Sequence, residues 1–391
     1  MKSLSIFIIL MLPLLSLSQN REIEFFHGTW SETIAKASQQ KKSIFVDMGT
    51  SWCWPCKWIV SNVFNKDEVA DFYNANFVCL KVDVEKTEWR DFAKQWQAKR
   101  YPSLLFFDSA GEMIHRSCGA VSFEKFISIG KDALNPEKRL FTVKKIVESG
   151  KADNQTQAAY IFMLRDACMD YGEQLEKYWA LQKEEDLSKR ENWNLIYEFV
   201  TDYKSREFSH LIANKKMLEK FYSVDSVNMK IEEVYKSPIT RYIYANDTIA
   251  YWELLQEIKN NKLSNAEKII LYAEMVNYFK QEDWPHYVKS AQMYIDKYAD
   301  SDSEMLTSVS WNFYQKIEEK KFLEVALRWA ARSVKLQSSV HNMEVYAHLL
   351  YKTGNFKKAK IQAEKAIKLA KKEGIEYHAI EILLDKIVKA L

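Results

Sequence analysis

The stretch VDMGTSWCWPCK, residues 46–57, decides the fold, because it leads from a strand into a helix through two cysteines three positions apart. The unbroken apolar run 44–46 is typical of a strand that is covered on both faces of its sheet. Pro55 has no N–H to lose and is tolerated in the first turn of a helix. The stretch therefore predicts a buried strand over residues 43–48 and a helix that follows from Cys53.

Cys53 and Cys56 would lie on one face of a helical turn, close enough for the ~5.5 Å Cα separation of a disulfide. Cys53 faces the unpaired N–H groups and the positive end of the helix dipole, which favour its thiolate and lower its pKa. We therefore expect Cys53 to be the nucleophile and Cys56, one turn deeper, to be the resolving thiol.

Two alternatives for this pair are a structural disulfide and a zinc site. A disulfide that closes so short a loop adds little entropy-based stability. Zinc would need two further ligands, and no second Cys-x-x-Cys or histidine pair offers them. The sequence predicts a redox pair with no metal and no cofactor.

Residues 22–134 alternate between strand and helix in the order β-α-β-α-β-α-β-β-α, which predicts an α/β layer with a mixed sheet. Three polar residues have the spacing of helix N-caps. They are Thr29, with Glu32 as the third helical residue, Asn65 and Ser122.

The segment 46–57 resembles the active site of the thioredoxin family, and the likeness extends over residues 22–134. Residues 63–69 resemble an insert in the thioredoxin-like domains of periplasmic disulfide reductases. The resemblance implies that Asp47 accepts or relays the proton of Cys56, with Lys81 on the next strand as its partner. A polar group at the strand end is the other interpretation of Asp47, although a buried carboxylate is costly unless it is paired or functional.

The same resemblance implies a cis-proline that holds substrate backbone beside the first cysteine. The residues expected at the substrate are Trp52, Trp54, Pro55, Tyr101 and Pro102, with Pro102 as the cis-proline. Two of them depart from the family pattern. Trp54 stands where glycine is commonest and Tyr101 where a small or β-branched residue is usual, so docking and redox potential should differ. No histidine lies between the cysteines, which favours a reductase or isomerase over a strong oxidant.

The other cysteines are predicted to be buried apolar thiols. Cys79 and Cys118 would lie about three strand spacings apart, near ~14 Å, which is too far for a disulfide. Cys168 lies among apolar residues at helical spacing and is expected in a core.

Residues 1–18 have the features of a secretory signal: Lys2, the apolar run 6–15 and the small-x-small sequence 16–18. We expect an exported protein, periplasmic if bacterial, with no stable membrane insertion after cleavage. An uncleaved anchor is the alternative. The formal net charge of +3 gives no reason to expect a nucleic-acid or membrane-surface partner.

The chain divides into a thioredoxin-like domain (19–135), a helical domain (136–262) and tetratricopeptide-like helical repeats (263–391). Asn135-Pro136 marks the first boundary as an N-cap followed by a first helical residue. The 391 residues include only 9 Gly and 6 Pro, which is too few turn-forming residues for a many-stranded β-sandwich. Ala291, Ala326 and Ala359 are 35 and 33 positions apart, bracketing the ~34-residue tetratricopeptide period.

The sequence thus predicts an α/β thioredoxin fold followed by an all-α helical-repeat domain, acting as an exported thiol–disulfide oxidoreductase. Its partners would be protein thiols and disulfides, an unidentified electron donor and a possible protein on the repeats. A helical-repeat binding scaffold with a structural or redox-latch thioredoxin-like domain is the alternative from another class. An isomerase that dimerises through the helical part is a third.

Overall fold

The structure, a computed structural model, describes residues 21–391, and the predicted signal lies outside them. In this part of the chain five strands form one mixed sheet of order β1-β3-β2-β4-β5. β1, β2 and β3 are parallel, whereas β4 is antiparallel to β2 and to β5. The strands are β1 (Phe25–Phe26), β2 (Ser43–Gly49), β3 (Phe77–Asp83), β4 (Ser103–Phe107) and β5 (Met113–Cys118).

Helices interleave with the strands and cover both faces of the sheet. They are α1 (Trp30–Gln40), α2 (Trp54–Ile59), α3 (Asp67–Asn76), α4 (Arg90–Gln95) and α5 (Phe123–Leu134). Phe45 of β2 packs in a core cluster with Tyr73 and Phe126, while its neighbours Ile44 and Val46 belong to a second cluster. Because successive side chains of a strand point to opposite faces, the unbroken apolar run fills two cores at once. The predicted α/β layer with a mixed sheet is confirmed.

The structure confirms two of the three predicted helix N-caps. Thr29 forms a reciprocal capping box with Glu32, and the Ser122 side chain accepts from the backbone of α5. The predicted cap at Asn65 is wrong. A π-helical turn, Val60–Phe64, continues directly from α2, and the Asn65 side chain donates back to the carbonyl of Ser61 at 2.7 Å. Its amide is therefore used to end one helix rather than to begin the next, which starts after Lys66.

From residue 140 onward every regular element that the structure describes is helical, which confirms the predicted all-α region. The elements are α6 (Leu140–Glu148), α7 (Asn154–Asp166), α8 (Gly172–Leu181), α9 (Arg190–Phe199), α10 (Arg206–Ala213), α11 (Lys215–Tyr222), α12 (Val224–Ala245), α13 (Thr248–Asn260), α14 (Ala266–Lys280), α15 (Trp284–Tyr294), α16 (Ser303–Lys316), α17 (Lys320–Leu336), α18 (Val340–Lys352), α19 (Phe356–Glu373) and α20 (His378–Lys389), with short 3-10 and π turns between some of them.

The chain forms two compact units, one ending at Leu195 and the other covering Ile196–Leu391. This division does not coincide with the boundaries predicted at 135 and 262. The first unit holds the sheet together with α6–α8, of which α6 and α7 pack onto β5 and α8 packs against α7. In the second unit consecutive helices pack in pairs, α14 with α15, α16 with α17 and α18 with α19.

The three alanines of the predicted repeat lie fully buried in the second helix of each pair. A small residue at this position lets the two helices of a pair approach closely, which accounts for the spacing seen in the sequence. The tetratricopeptide assignment itself stays a prediction. Over the residues described, none of the helices has the length and apolar character needed to span a bilayer.

Candidate active site

The two cysteines of residues 46–57 form a disulfide at the junction of β2 and α2, with Cα atoms 5.3 Å apart. Cys53 is the N-cap of α2, and its Sγ accepts the backbone N–H of Cys56 at 3.2 Å. In the reduced protein this N–H would stabilise a thiolate at Cys53, as would the positive end of the helix. Pro55 occupies the first turn, where its missing N–H removes no helical bond.

The cysteines are buried, whereas the tryptophans beside them are exposed. Cys53 and Cys56 are 5% and 8% exposed, against 66% for Trp52 and 49% for Trp54. The indole Nε1 of Trp52 donates to a carboxylate oxygen of Glu85 at 2.9 Å, which fixes the ring at the rim of the site. Sequence reasoning missed Glu85, because its place in the loop after β3 becomes significant only once β3 lies beside β2.

A cavity of about 490 Å³ is lined by Cys56 together with Asp47, Lys81 and His27. Cys53 is not among its lining residues. The two cysteines therefore have different surroundings, since Cys56 and not Cys53 lines the cavity together with Asp47 of β2. The roles of Cys53 as nucleophile and Cys56 as resolving thiol stay a prediction.

Asp47 is 2% exposed, and its Oδ1 has no hydrogen-bond partner among the described residues. Burial raises the pKa of this carboxyl to about 6, and the charge of Lys81 opposes the rise. Lys81 lies directly opposite Asp47 in the register of β2 and β3, as the resemblance implies. The lysine is itself exposed, so it acts on the carboxyl through its charge. A carboxyl of this pKa can accept and return a proton near neutral pH.

Gly49 and Thr50, at the end of β2, are further residues of the site that sequence reasoning missed. A Cβ at Gly49 would stand 2.8 Å from the Sγ of Cys56, so the strand can pass the disulfide only without a side chain there. The Thr50 hydroxyl is buried beside the same cavity and has no partner among the described residues. The signal available in the sequence was a glycine within the motif stretch, just before the cysteines.

The peptide bond between Tyr101 and Pro102 is cis, as predicted. Ser103, the next residue, pairs with Met48 of β2, which places Pro102 at the edge of the sheet where the cysteine pair lies. Pro102 is buried and its carbonyl accepts the backbone N–H of Gly119 at 2.8 Å, while Tyr101 is half-buried. Pro102 and the cysteine pair thus lie at the same end of the neighbouring strands β4 and β2.

The prediction for two of the other cysteines is wrong. Cys118 and Cys168 are joined in a disulfide with Cα atoms 5.9 Å apart. They meet because α6 and α7 fold back onto β5, where the Ser117 hydroxyl donates to the carbonyl of Asp166 at 3.1 Å. Cys79 is a free thiol, 2% exposed, whose pKa is raised by burial, which confirms the prediction for this residue.

The part of the chain that the structure describes contains no group of three or more His, Cys, Asp or Glu side chains placed to hold a metal ion. The reactive groups that the site brings together are the sulfurs of Cys53 and Cys56 and the carboxyl of Asp47.

Residues 26–109 match the family model described as thioredoxin-like. Thioredoxin H1 of Arabidopsis thaliana is 32% identical over 103 residues, which are 26% of this chain and 84% of the relative. Thioredoxin H-type 2 of Nicotiana tabacum is 33% identical over 102 residues, or 26% of this chain and 80% of the relative.

Two solved structures also match the N-terminal part. A protein of Bacteroides thetaiotaomicron, proposed as a disulphide-isomerase, is 36% identical and aligns over 30% of this chain and 98% of its own, with a TM-score of 0.29. A DsbH oxidoreductase is 21% identical over 30% of this chain and 92% of its own, with a TM-score of 0.26.

Proposed function

This chain belongs to the thioredoxin family and is a thiol–disulfide oxidoreductase, and we propose that it reduces or isomerises disulfides of exported proteins. Cys53 is the nucleophile, Cys56 the resolving thiol and Asp47 the proton relay. The observation that carries these roles is the asymmetry of the pair, in which Cys53 caps the helix and Cys56 shares a cavity with Asp47.

The reaction begins when the Cys53 thiolate attacks one sulfur of a substrate disulfide. A Cys53–substrate disulfide forms and the other substrate sulfur leaves as a thiolate, which takes a proton. Asp47 then accepts the proton of Cys56, whose thiolate attacks the sulfur of Cys53 and expels the second substrate thiolate. The substrate has gained two electrons, and the Cys53–Cys56 disulfide is the oxidised product. An external dithiol donor returns the pair to the thiol state.

Whether the Cys53–Cys56 pair reduces or oxidises its substrates depends on how strongly the neighbouring residues stabilise the Cys53 thiolate. A strong oxidant needs a reduced form that is held very firmly as thiolate, and a histidine between the cysteines is absent here. Trp54 and Pro55 occupy the two intervening positions instead. We therefore assign the chain to the reductase or isomerase side of the family. Exported substrates, periplasmic if the source is bacterial, are proposed from the secretory signal predicted at residues 1–18.

The substrate would bind at the end of the sheet that carries Trp52, Trp54 and the cis-proline. The exposed indoles offer apolar contact area, and the backbone beside Pro102 offers hydrogen-bonding groups to an extended segment. Tyr101 stands where smaller residues are usual and narrows the choice of substrate side chain next to the attacked sulfur.

A trapping experiment tests this function. The Cys56→Ser variant of the full chain should accumulate mixed disulfides with protein substrates, because the resolving thiol is absent, whereas Cys53→Ser should accumulate none. Insulin reduction with dithiothreitol as the donor should proceed with the wild type and fail with Cys53→Ser. Equal rates would overturn the proposal, and recovery of partners that is unaffected by thiols would favour the binding-scaffold alternative.

A further inference from the structure

The Cys118–Cys168 disulfide lies at the same end of the sheet as the active site. Cys118 ends β5 and pairs with Ser103, the residue that follows the cis-proline. The next backbone N–H, that of Gly119, is the one that donates to the Pro102 carbonyl. Only β4 separates β5 from β2, so the second disulfide stands about 10 Å, or two strand spacings, from the end of β2. We name residues 101–103 and 118–119 the cis-proline rim.

Cys168, at the other end of the disulfide, lies in the turn after α7 with a φ of 51°. Its N–H donates to the carbonyl of Arg165, and that of Met169 to the carbonyl of Leu164, so the residue caps the helix in the left-handed conformation. Glycine adopts this conformation readily, whereas a residue with a side chain does so at a cost. Opening the disulfide removes the covalent link between this turn and the end of β5.

Other contacts would survive the opening of this disulfide. The Ser117 hydroxyl still reaches the Asp166 carbonyl, and the Lys125 ammonium lies 3.4 Å from the Asp166 carboxylate. The N–H of Leu140 donates to Nδ1 of His115 at 3.0 Å, which joins α6 to β5 independently. Reduction should therefore free the turn at Cys168 without separating the helices from the sheet.

The two cysteines are half-buried, unlike the fully enclosed Cys79. We propose that Cys118–Cys168 is a second redox site, which exchanges with protein or small dithiols and sets the affinity of the cis-proline rim for protein substrates. This inference rests on the proposed function, because its effect is measured through exchange at Cys53–Cys56. In the oxidised form the turn after α7 is tied to the rim, and in the reduced form the rim is released.

The exchange at this site is a two-electron reduction. A thiolate of the external dithiol attacks one of the two sulfurs, which breaks the Cys118–Cys168 bond and forms a mixed disulfide. The second thiol of the donor then attacks the donor sulfur of this mixed disulfide, which forms the donor's own disulfide and expels the cysteine as a thiolate. Both cysteines end as thiols, with two protons taken from the donor and the solvent.

A disulfide with a purely structural role would give a different result. Its loss would change the free energy of unfolding but would leave substrate recognition unchanged. A redox site that acts on the rim changes KM for a substrate that contacts the rim, and it spares a small disulfide that contacts only Cys53.

The test compares wild type with the full-chain double variant Cys118→Ser/Cys168→Ser, using insulin and oxidised glutathione as substrates. We expect KM for insulin to rise about five-fold or more, with kcat and the rate toward oxidised glutathione within about two-fold. Lys125→Ala is the matched control, since it removes the ion pair to Asp166 but keeps the disulfide, and its KM should stay at the wild-type value. An unchanged KM in the double variant would overturn the inference.

Wild-type protein gives a second measurement that does not depend on the variant folding. In graded dithiol buffers, thiol labelling mapped by mass spectrometry should show Cys118 and Cys168 opening while the helical circular dichroism signal is retained. Opening that occurs only with loss of that signal would also overturn the inference. If wild type fails to react with oxidised glutathione at all, the proposed function fails first, which separates the two outcomes.

Discussion

Asp47 of β2 stands opposite Lys81 of β3 in the parallel register, yet the carboxyl is buried and the lysine is exposed. The lysine charge therefore offsets only part of the cost of burial, and the pKa of Asp47 settles at about 6. This value, together with the cavity that Asp47 shares with Cys56, supports the proposal that Asp47 takes the proton of Cys56 near neutral pH.

Replacing Asp47 with asparagine should slow the resolving step about 100-fold at pH 7, the usual contribution of a positioned general base. The ionised carboxylate is the active form, so the wild-type rate should rise with pH through about 6 and the variant should lack that rise. Stopped-flow decay of the mixed disulfide with a labelled peptide measures the step. Asp91→Asn makes the same change of charge on a fully exposed side chain and should leave the rate unaltered.

The same variant should change how stability depends on pH. The pKa of Asp47 is higher in the folded protein than its ordinary value of 3.8, so folding favours the protonated carboxyl. Its contribution to stability is full below pH 3.8 and is lost as the pH rises through about 6. Urea unfolding should show Asp47→Asn gaining about 2 kcal/mol relative to wild type between pH 4 and pH 8. Parallel curves for the two proteins would refute the burial-driven shift.

Gly49→Ala should destabilise the protein by about 1–3 kcal/mol, the usual cost of overpacking. The new Cβ would meet the Sγ of Cys56 at 2.8 Å, and a sulfur held in a disulfide cannot move away freely. Urea unfolding of the oxidised protein measures the effect. Gly172→Ala is a suitable control, because a Cβ there would have its nearest neighbour, Asp170, at an ordinary 3.4 Å. Equal effects of the two substitutions would contradict the close approach of β2 to the disulfide.

Trp52→Ala should raise KM for insulin about ten-fold while changing the free energy of unfolding by no more than about 0.5 kcal/mol. The side chain is 66% exposed and is held in place by Glu85, so its removal takes away substrate contact area rather than core packing. Steady-state kinetics and urea unfolding measure the two quantities. Leu181→Ala removes a similarly exposed apolar side chain away from the site and should alter neither.

The fold of residues 22–134 could be predicted because its signals are local. The apolar run of β2, the capping box at Thr29 and the cap at Ser122 each depend on residues within a few positions of one another. The predicted N-cap at Asn65 was wrong because the signal was only local: the side chain, which could cap the following helix, donates instead to the preceding turn. Local sequence does not decide between the two uses.

The site was predictable along the motif itself and, through the family resemblance, at Lys81 and Pro102. Cys53, Cys56 and Asp47 follow from residues 46–57, whereas Glu85 comes next to Trp52 through the pairing of β3 with β2. The Cys118–Cys168 disulfide joins residues separated by 50 positions, and it depends on how α6 and α7 return to the sheet. The separation of three strand spacings correctly excluded a disulfide between Cys79 and Cys118. The spacing of the strands gives no indication of Cys168, because that residue reaches Cys118 only when α6 and α7 pack onto β5.

The proposed exchange requires Cys53, at the start of α2, to be an activated thiol that reagents can reach. The pH dependence of alkylation in the reduced protein, with the labelled cysteine identified by mass spectrometry, measures this property. We expect Cys53 to react before Cys56, with a midpoint below about 8.5, the ordinary pKa of a cysteine. A Cys53 that stays unlabelled from pH 6 to 9 while the protein is folded and reduced would contradict the account.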